Sequence, residues 1–436
     1  MSINFGLYAL FILIPWLVVS TIRTIRRRQK PSSTLLWLIT ITLVFTVPPL
    51  LTKLTMQDVW EPVTFIPIGG SMALDGDVLA VSGDPVKIYR YRDEKWLQEA
   101  TLTQANSDGS KFGADVEVDG VTVFMVDIDE PHPGKRGFGA IYASTYDGIE
   151  WSMPTRLPLV PEADSDSGEP GAILVADGNV MVNGTESDVV YVYEREAEEL
   201  PWTFKTRLLP PEVDDVRGSE ISGFGPAVAV DGDTIVVGGT ENTSGINVFV
   251  RNPTTDEWEF EATLNTFRSY SEPKETPYGT GLGNAVALEG NLLVASATGM
   301  NQPDGVVFVY ERNERTRRWR RIDRLTPVGG RPWWKLEGYF LNSGFGADVK
   351  VSGTSIAVST ANVRNSGRNR RSEDTFVYVQ RSGLKQWQQQ LLLDDQASDE
   401  YEYFTGGVDI SGNHLAVLCR LDGELGVSLF HRVSMN

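Results

Sequence analysis

The chain has 436 residues, and its 58 acidic and 39 basic residues give it a net charge of −19 at neutral pH. A single cysteine excludes an intrachain disulfide framework, and three scattered histidines form no zinc-binding motif. The excess of acid also argues against nucleic acid as a partner, because a strongly negative surface repels a polyanion.

Two apolar segments open the chain, at residues 3–22 and 34–51, and each is long enough to cross a bilayer as a helix. Between them lies a basic loop, residues 23–33, which the positive-inside rule places in the cytoplasm. Residues 1–53 carry six basic and no acidic side chains, so the rest of the chain carries −25. We therefore predict a two-helix membrane anchor at residues 1–55, and an extracellular or luminal domain at residues 56–436.

The first apolar segment has an alternative interpretation as a cleavable signal peptide. Its positive charges follow the apolar run instead of preceding it, and no clear small-residue cleavage site is present. A retained helix is therefore the favoured interpretation. Both interpretations send residues 56–436 across the membrane, and they leave open whether the mature protein keeps the first helix.

From residue 56 onward the chain repeats a strand, a tight turn and a second strand. Each repeat carries an acidic residue or serine followed by glycine, which we call the turn marker, and an apolar residue stands directly before it. The seven turn markers are Asp75-Gly76, Asp119-Gly120, Asp177-Gly178, Asp231-Gly232, Glu289-Gly290, Ser352-Gly353 and Ser411-Gly412. Their spacing suits one four-stranded blade per repeat. The predicted fold is all-β, a seven-bladed β-propeller.

The fourth strand of each blade carries a tryptophan with an apolar residue six positions later, as in Trp258 and Leu264. Such strands follow the first six hairpins, whereas the chain stops soon after the third strand of the seventh repeat. The missing strand is found at the other end of the domain, where Trp60 and Ile66 show the same pattern. We predict that residues 60–66 complete the last blade and close the ring, which leaves no open sheet interface.

A phenylalanine–glycine pair precedes several markers, as in the run Phe224-Gly225-Pro226-Ala227-Val228-Ala229-Val230-Asp231-Gly232-Asp233. This pattern resembles the FG-GAP repeat family, which includes the seven-bladed propeller at the head of integrin alpha subunits. The resemblance covers residues 60–436 and implies a propeller that binds a partner, as in cell adhesion. In that family the marker turn often expands into a calcium-binding loop. The turns here are too short to wrap an ion that takes about six to eight oxygens, so we interpret them as plain hairpin turns.

The long, irregular connections are predicted on the face opposite the marker turns, and variable loops on a rigid frame are where binding residues usually lie. Three aromatic residues in one connection are candidates for binding a sugar or a protein: Trp333, Trp334 and Tyr339. Three arginines in another connection are candidates for binding a carboxylate or sulfate: Arg368, Arg370 and Arg371. Both groups have an alternative interpretation, as aromatics that cover their own loop and as a solvated basic loop.

The sequence predicts no cofactor and no catalytic residue set. One segment, residues 164–169, places Asp164, Asp166 and Glu169 as in part of a calcium loop, but it lacks the remaining ligands and is favoured as a solvated loop. Two N-glycosylation sequons begin at Asn183 and Asn242. Both are predicted in connections between second and third strands, on the long-connection face.

Only a short stretch separates the second apolar segment from Trp60, so the marker turns are expected to face the membrane and the long connections to face away. The leading hypothesis is a membrane-anchored, non-catalytic binding or adhesion module for a protein or glycan partner. One alternative is a glycan hydrolase or lyase with its site at the propeller axis. A second alternative is a structural subunit of a membrane complex, assembled through the helices.

Cys419, within an apolar run, is predicted to be a buried core thiol.

Overall fold

The computed structural model describes residues 59–68, 70–104, 112–128, 139–158, 173–185, 188–198, 200–211, 223–239, 245–264, 281–298, 305–327, 344–360, 374–380, 386–393 and 401–433. Nearly all of them belong to one compact unit, Trp60–Arg432. The predicted anchor, residues 1–55, lies outside the described residues. No helix among the described residues is long and apolar enough to span a membrane.

The described residues form seven four-stranded antiparallel sheets, the blades of a β-propeller. The first described strand is β1 (Val59–Pro67). Blades 1 to 3 follow as β2 (Met72–Asp75), β3 (Val78–Val81), β4 (Val86–Arg92), β5 (Lys95–Leu102); β6 (Phe112–Asp119), β7 (Thr122–Asp127), β8 (Ala140–Thr145), β9 (Thr155–Arg156); and β10 (Ile173–Asp177), β11 (Val180–Gly184), β12 (Val190–Glu194), β13 (Thr203–Leu208). Blades 1 to 6 are simple up-and-down meanders, because their strands pair in sequence order.

Blades 4 to 6 repeat the same arrangement, and blade 7 holds the last three strands that the structure describes. These strands are β14 (Phe224–Asp231), β15 (Thr234–Gly239), β16 (Ile246–Arg251), β17 (Trp258–Leu264); β18 (Leu282–Glu289), β19 (Leu292–Ala297), β20 (Val306–Asn313), β21 (Arg318–Leu325); β22 (Phe345–Ser352), β23 (Ser355–Thr360), β24 (Thr375–Gln380), β25 (Trp387–Leu393); and β26 (Tyr401–Ser411), β27 (His414–Leu421), β28 (Glu424–Val433). The seven-bladed fold predicted from the markers is therefore present.

Blade 7 is completed by the first strand of the domain, as predicted. Its strand order is β26-β27-β28-β1, and the Ile68 N–H continues the pairing by donating to the Leu425 carbonyl at 3.0 Å. Trp60 and Ile66 on β1 are both only 6% exposed. The outer strand of the last blade thus comes from residues at the opposite end of the domain, which ties the two ends of the ring together.

Hydrophobic side chains fill each of the seven seams between neighbouring blades. Each buried cluster draws on two adjacent blades, as Val248 of blade 4 and Phe308 of blade 5 do in one of them. The innermost strands also contact one another in an unbroken cycle, from β2 through β6 and onward to β26, which contacts β2 again. The ring is therefore closed by packing at every seam.

The marker turns have one geometry in all seven blades. In blade 4, Asp231 pairs with Thr234 as the last residue of its strand, so the turn consists of Gly232 and Asp233. Gly232 has a φ of +52°, and the marker glycines of the other blades lie between +55° and +60°. A positive φ at the first turn position favours glycine. The marker acid is thus a strand residue, and the turn begins at the glycine that follows it.

The phenylalanine–glycine pairs pack in the seams between neighbouring blades. Phe224 is completely buried, and Gly225 adopts a φ of +113°. A Cβ atom at Gly225 would lie 2.6 Å from the Thr185 carbonyl oxygen of blade 3. Only glycine permits the backbones of the two blades to approach this closely. The repeated pair is therefore explained by packing between blades.

Candidate functional site

Most of the binding residues predicted from the sequence lie outside the described residues. These are Trp333, Trp334, Tyr339, Arg368, Arg370, Arg371, Asp164, Asp166, Glu169 and Asn242. The strands that flank them are described, so the face to which their connections attach follows from the sheet topology. The connection from Leu325 to Phe345 carries the aromatic group, and the connection from Thr360 to Thr375 carries the arginines.

Asn183 corrects one prediction. It lies within β11 instead of a connection, is completely buried, and donates from Nδ2 to the Ile173 carbonyl at 3.1 Å. A glycan joined to Nδ2 would have to occupy the interior of blade 3. The sequon that begins at Asn183 is therefore inaccessible in the folded domain, because the strand continues through Gly184 where the sequence suggested a turn.

The two faces of the propeller differ in the length of their connections. In each blade the two-residue marker turn joins the first and second strands, and the antiparallel order places the connection between third and fourth strands on that same face. The opposite face receives the connections between second and third strands and the connections between blades, of which the longest runs from Leu325 to Phe345. The longest connections therefore lie on the face opposite the marker turns, as predicted, while connections of intermediate length such as the one from Thr145 to Thr155 lie on the marker-turn face.

The marker residues form a belt of hydrogen bonds around the short-turn face. In each seam, the N–H of one marker glycine donates to the marker side chain of the preceding blade. The seven donor–acceptor pairs are Gly120–Asp75 (2.8 Å), Gly178–Asp119, Gly232–Asp177 (2.5 Å), Gly290–Asp231 (3.0 Å), Gly353–Glu289 (2.5 Å), Gly412–Ser352 (2.9 Å) and Gly76–Ser411 (2.9 Å). The belt closes on itself at Ser411, whose hydroxyl also donates to Asp75 Oδ1 at 3.1 Å.

The marker side chain, repeated in all seven blades, therefore has a structural role beyond its own hairpin. Burial raises the pKa of Asp119 to about 6, and the neighbouring carboxylates of Asp177 and Asp75 raise it too, while the Gly178 N–H opposes the shift. Each acceptor is already engaged by a backbone N–H of the next blade. The sequence interpretation as a plain hairpin turn was therefore incomplete, since the side chain also joins neighbouring blades.

A second charged group, not predicted from the sequence, converges at the axis. We call it the axial cluster, and it consists of Asp115 and Glu117 on β6, Asp348 and Lys350 on β22, and Asp409 on β26. Lys350 interacts electrostatically with Glu117 and Asp115, although blades 2 and 6 are not neighbours, so this interaction crosses the axis. The Lys350 side chain is 34% exposed, so water reaches the cluster along the axis.

The axial carboxylates also hold neighbouring blades. The Leu74 N–H of blade 1 donates to Asp409 Oδ2 at 2.8 Å, and the Val408 N–H of blade 7 donates to Asp348 Oδ2 at 3.3 Å. The N–H of Ala176 in blade 3 donates to Glu117. Each of these acids therefore accepts a hydrogen bond from a backbone N–H of a neighbouring blade, as the marker side chains do.

The carboxyl groups of the axial cluster differ in pKa. Burial raises the pKa of Glu117 to about 8 and that of Asp348 to about 6, and Lys350 opposes both shifts. Burial also raises the pKa values of Asp115 and Asp409. Lys350 lies 3.9 Å from Asp409 Oδ1, and this carboxylate in particular raises the lysine pKa. Glu117 is thus mostly protonated near pH 7, while Lys350 keeps its charge, and the cluster can hold and release a proton near neutral pH.

The sequence does contain a signal for the axial cluster. Two residues before the marker stand Glu117, Lys350 and Asp409, where blades 1, 4 and 5 have the alanines Ala73, Ala229 and Ala287. A charge at a position that otherwise carries a small apolar residue marks the inner strands of blades 2, 6 and 7. Their convergence from distant parts of the chain required the ring geometry.

On the outer rim, the repeated tryptophans join blades as well. Trp258 Nε1 donates to Glu194 Oε1 of blade 3 at 2.8 Å, and the Arg251 guanidinium lies 4.9 Å from the Trp258 ring and 2.9 Å from the same carboxylate. The corresponding donors and acceptors in two other seams are Trp151 with Glu99 (3.0 Å) and Trp319 with Glu261 (3.3 Å). These tryptophans are structural residues of the seams.

No protein-family model matches the chain, and no curated protein sequence matches it. Solved structures with a similar fold include a chain of the mitotic checkpoint complex, at 13% identity and a TM-score of 0.47, which covers 86% of this chain and 95% of the other. The computationally designed protein Ika8 has 12% identity and a TM-score of 0.43, covering 84% and 99%. A protein of Bacteroides uniformis, described as a candidate 6-phosphogluconolactonase, has 12% identity and a TM-score of 0.48, covering 81% and 92%. Likeness at this level concerns the fold alone, and the seven-bladed ring rests on the sheets and seams described above.

Proposed function

We propose that the protein is a membrane-anchored propeller that binds a protein or glycan partner on its long-connection face, without chemistry of its own. The observation that carries the proposal is the difference between the two faces. One face carries the seven two-residue marker turns, whose side chains join neighbouring blades, together with the connections between third and fourth strands. The other face receives the longest connections, such as those that follow Leu325 and Thr360. A rigid frame with variable segments at one end is the usual plan of a binding module.

Three further parts of this proposal come from the sequence. The apolar segments at residues 3–22 and 34–51, with their basic loop, support an anchor that places the propeller in the extracellular space or an organelle lumen. The phenylalanine–glycine repeats support an FG-GAP-like propeller, with adhesion as the corresponding activity. The acidic domain supports a partner other than nucleic acid.

The axial cluster favours a second candidate function, a glycan hydrolase or lyase at the propeller axis. Two carboxyl groups with separated pKa values, Glu117 near 8 and Asp348 near 6, resemble the acid and base of such enzymes. Both groups also accept backbone N–H bonds that join blades, and a structural network of this kind perturbs pKa values without catalysis. The binding module therefore remains the leading proposal.

A crosslinking pull-down from membranes tests the binding module directly. One variant replaces residues 328–343 with a glycine–serine segment of equal length, and a second replaces residues 1–53 with an unrelated two-helix anchor. We expect the first variant to lose its crosslinked partner and the second to keep it. Loss of the partner with the foreign anchor alone would instead support a subunit assembled through its helices. A partner retained by both variants would contradict docking on this connection.

The enzyme candidate has its own test. The full-length protein is incubated with a panel of oligosaccharides, and new reducing ends or unsaturated products are measured. Glycan cleavage that disappears in Glu117→Gln and Asp348→Asn would support the enzyme and displace the non-catalytic proposal. The exposed residue Glu257 supplies the matched control, since Glu257→Gln removes an acid of the same type away from the axis.

A further inference from the structure

Two of the three histidines of the chain meet where the ring closes. His414 begins β27 and His431 pairs with it on β28, and both face blade 1. The His414 Nδ1 and His431 Nδ1 atoms lie 3.4 Å apart. His414 is only 9% exposed, while His431 is half-buried. The pair is therefore enclosed on one side and open to solvent on the other.

Aromatic residues of blade 1 hold the two imidazoles in place. The Tyr91 ring packs edge-on against His414 at 4.4 Å and stacks on His431 at 5.4 Å. Trp96 packs against His414 at 5.2 Å. Such contacts fix both ring orientations, so the facing Nδ1 atoms are part of an ordered arrangement.

In two other seams the residue that begins the second strand, the position of His414 in blade 7, contacts an arginine of the next blade. In blade 3, Arg195 reaches back to Thr122 of blade 2 at 3.4 Å, and in blade 7, Arg432 reaches back to Ser355 of blade 6 at 3.2 Å. Thr122 and Ser355 begin their second strands, as His414 does. The seam between blades 7 and 1 therefore has two histidines and a tyrosine where these two seams have an arginine contact.

The distance between the two nitrogens matches metal coordination. A zinc ion binds imidazole nitrogen at about 2.0–2.1 Å with tetrahedral geometry, which places two such ligands about 3.3–3.4 Å apart. Burial lowers the pKa of His414 to about 4, and His431 lowers it as well, while Asp77 opposes the shift. His414 is thus neutral at physiological pH, which is the form of imidazole that binds a metal ion.

We propose that His414 and His431 form a two-histidine site for a divalent transition-metal ion that favours imidazole, such as zinc, nickel or copper. The described residues contain no group of three or more His, Cys, Asp or Glu side chains arranged to hold a metal. Water therefore completes the coordination, and the site opens toward solvent on the His431 side. A bound ion would join β27 to β28 beside blade 1 and stabilise the closure of the ring.

Thermal unfolding of the full-length protein, purified without a polyhistidine tag, tests the site. The Tm is measured in EDTA and then with Zn²⁺ or Ni²⁺ up to about 1 mM, because an ion that binds only the folded state raises the Tm. Mg²⁺ serves as a control, since it prefers oxygen ligands. We expect the Tm to rise with Zn²⁺ and Ni²⁺, and the apparent affinity to fall at least about tenfold in His414→Ala and His431→Ala.

The remaining histidine, His132, supplies a matched control, because His132→Ala removes an imidazole and should leave the metal response unchanged. If His414→Ala does not fold in EDTA, the half-buried His431 carries the test alone. Binding of Co²⁺ is a second readout, since its visible absorption reports nitrogen ligands in tetrahedral geometry. The proposal would be overturned if the parent protein and His431→Ala gave the same metal response. It would also be overturned if the parent protein did not respond to Zn²⁺, Ni²⁺ or Co²⁺.

Discussion

The Gly290 N–H donates a hydrogen bond of 3.0 Å to Asp231 Oδ2, across the seam between blades 4 and 5. The acceptor ends one hairpin strand, and the donor begins the turn of the next blade. Repeated around the ring, this relationship makes the marker belt. The marker side chain therefore stabilises a neighbouring blade as well as its own.

We predict that Asp231→Ala lowers the free energy of unfolding by about 1 kcal/mol, because the Gly290 N–H loses its acceptor at a solvent-exposed site. Asp231→Asn keeps an acceptor oxygen and should lose less than half as much. Glu257→Ala changes an exposed acid outside the belt and serves as the control. Chemical denaturation measures all three, and equal stability of Asp231→Ala and the parent would contradict a stabilising belt.

Ring closure by β1 makes a second prediction. Trp60 is buried in the seam between blades 6 and 7, so Trp60→Ala should lower the free energy of unfolding by about 3 kcal/mol. Leu97 lies on an outer strand but is 52% exposed, and Leu97→Ala should change stability little. If the two substitutions had similar small effects on thermal unfolding, β1 would not be an integral strand of the last blade.

The axial cluster predicts a dependence of stability on pH. The pKa of Glu117 rises from an ordinary value of 4.5 to about 8 in the folded protein, so folding favours its protonated form. The stability contributed by this group is present at low pH and is lost as the pH rises toward 8. Between pH 5 and pH 8, the loss attributable to Glu117 should be about 2 kcal/mol, allowing for water at the axis.

Glu117→Gln removes that titration, so its unfolding free energy should vary less between pH 5 and pH 8 than that of the parent protein. Asp348→Asn should flatten the profile at lower pH, because the pKa of Asp348 rises from 3.8 to about 6. Denaturant unfolding at several pH values measures both. A parent profile that rises across this range, unchanged in Glu117→Gln, would show that burial does not raise the pKa of this glutamate.

The burial of Asn183 makes a prediction about modification. When the chain passes through a eukaryotic secretory route, mass spectrometry of the folded protein should find no glycan at Asn183, because its Nδ2 bonds Ile173 inside blade 3. Asn183→Ala should lower stability by about 1–2 kcal/mol through the loss of this buried hydrogen bond. Substantial glycan occupancy at Asn183 in folded protein would contradict its placement in β11.

The architecture was predictable because the same local pattern recurs in every blade. Hairpins with Phe224-type and Trp258-type residues at fixed positions specify strands and turns locally, and even closure by β1 followed from the Trp60 and Ile66 spacing. The strand character of Asn183 was not predictable in this way, since an asparagine before glycine is also typical of a turn.

The two hydrogen-bonded networks required the structure. A marker acid such as Asp231 reaches the next blade only because the seam brings two hairpins together. The sequence of a single repeat does not specify the distance between neighbouring hairpins. Asp115 and Lys350 are far apart in the chain, and their meeting depends on the number of blades and on the tilt of each inner strand. The sequence showed unusual charges at apolar positions, but the ring determines which of them converge.

The most direct test of the proposed binding face is site-specific photocrosslinking in intact membranes. A benzoylphenylalanine replaces Trp333 on the longest inter-blade connection, or Thr354 in an exposed marker turn on the opposite face. The account predicts a discrete crosslinked partner from position 333 and none from position 354. A partner captured from position 354 alone, or equally from both positions, would contradict docking on the long-connection face.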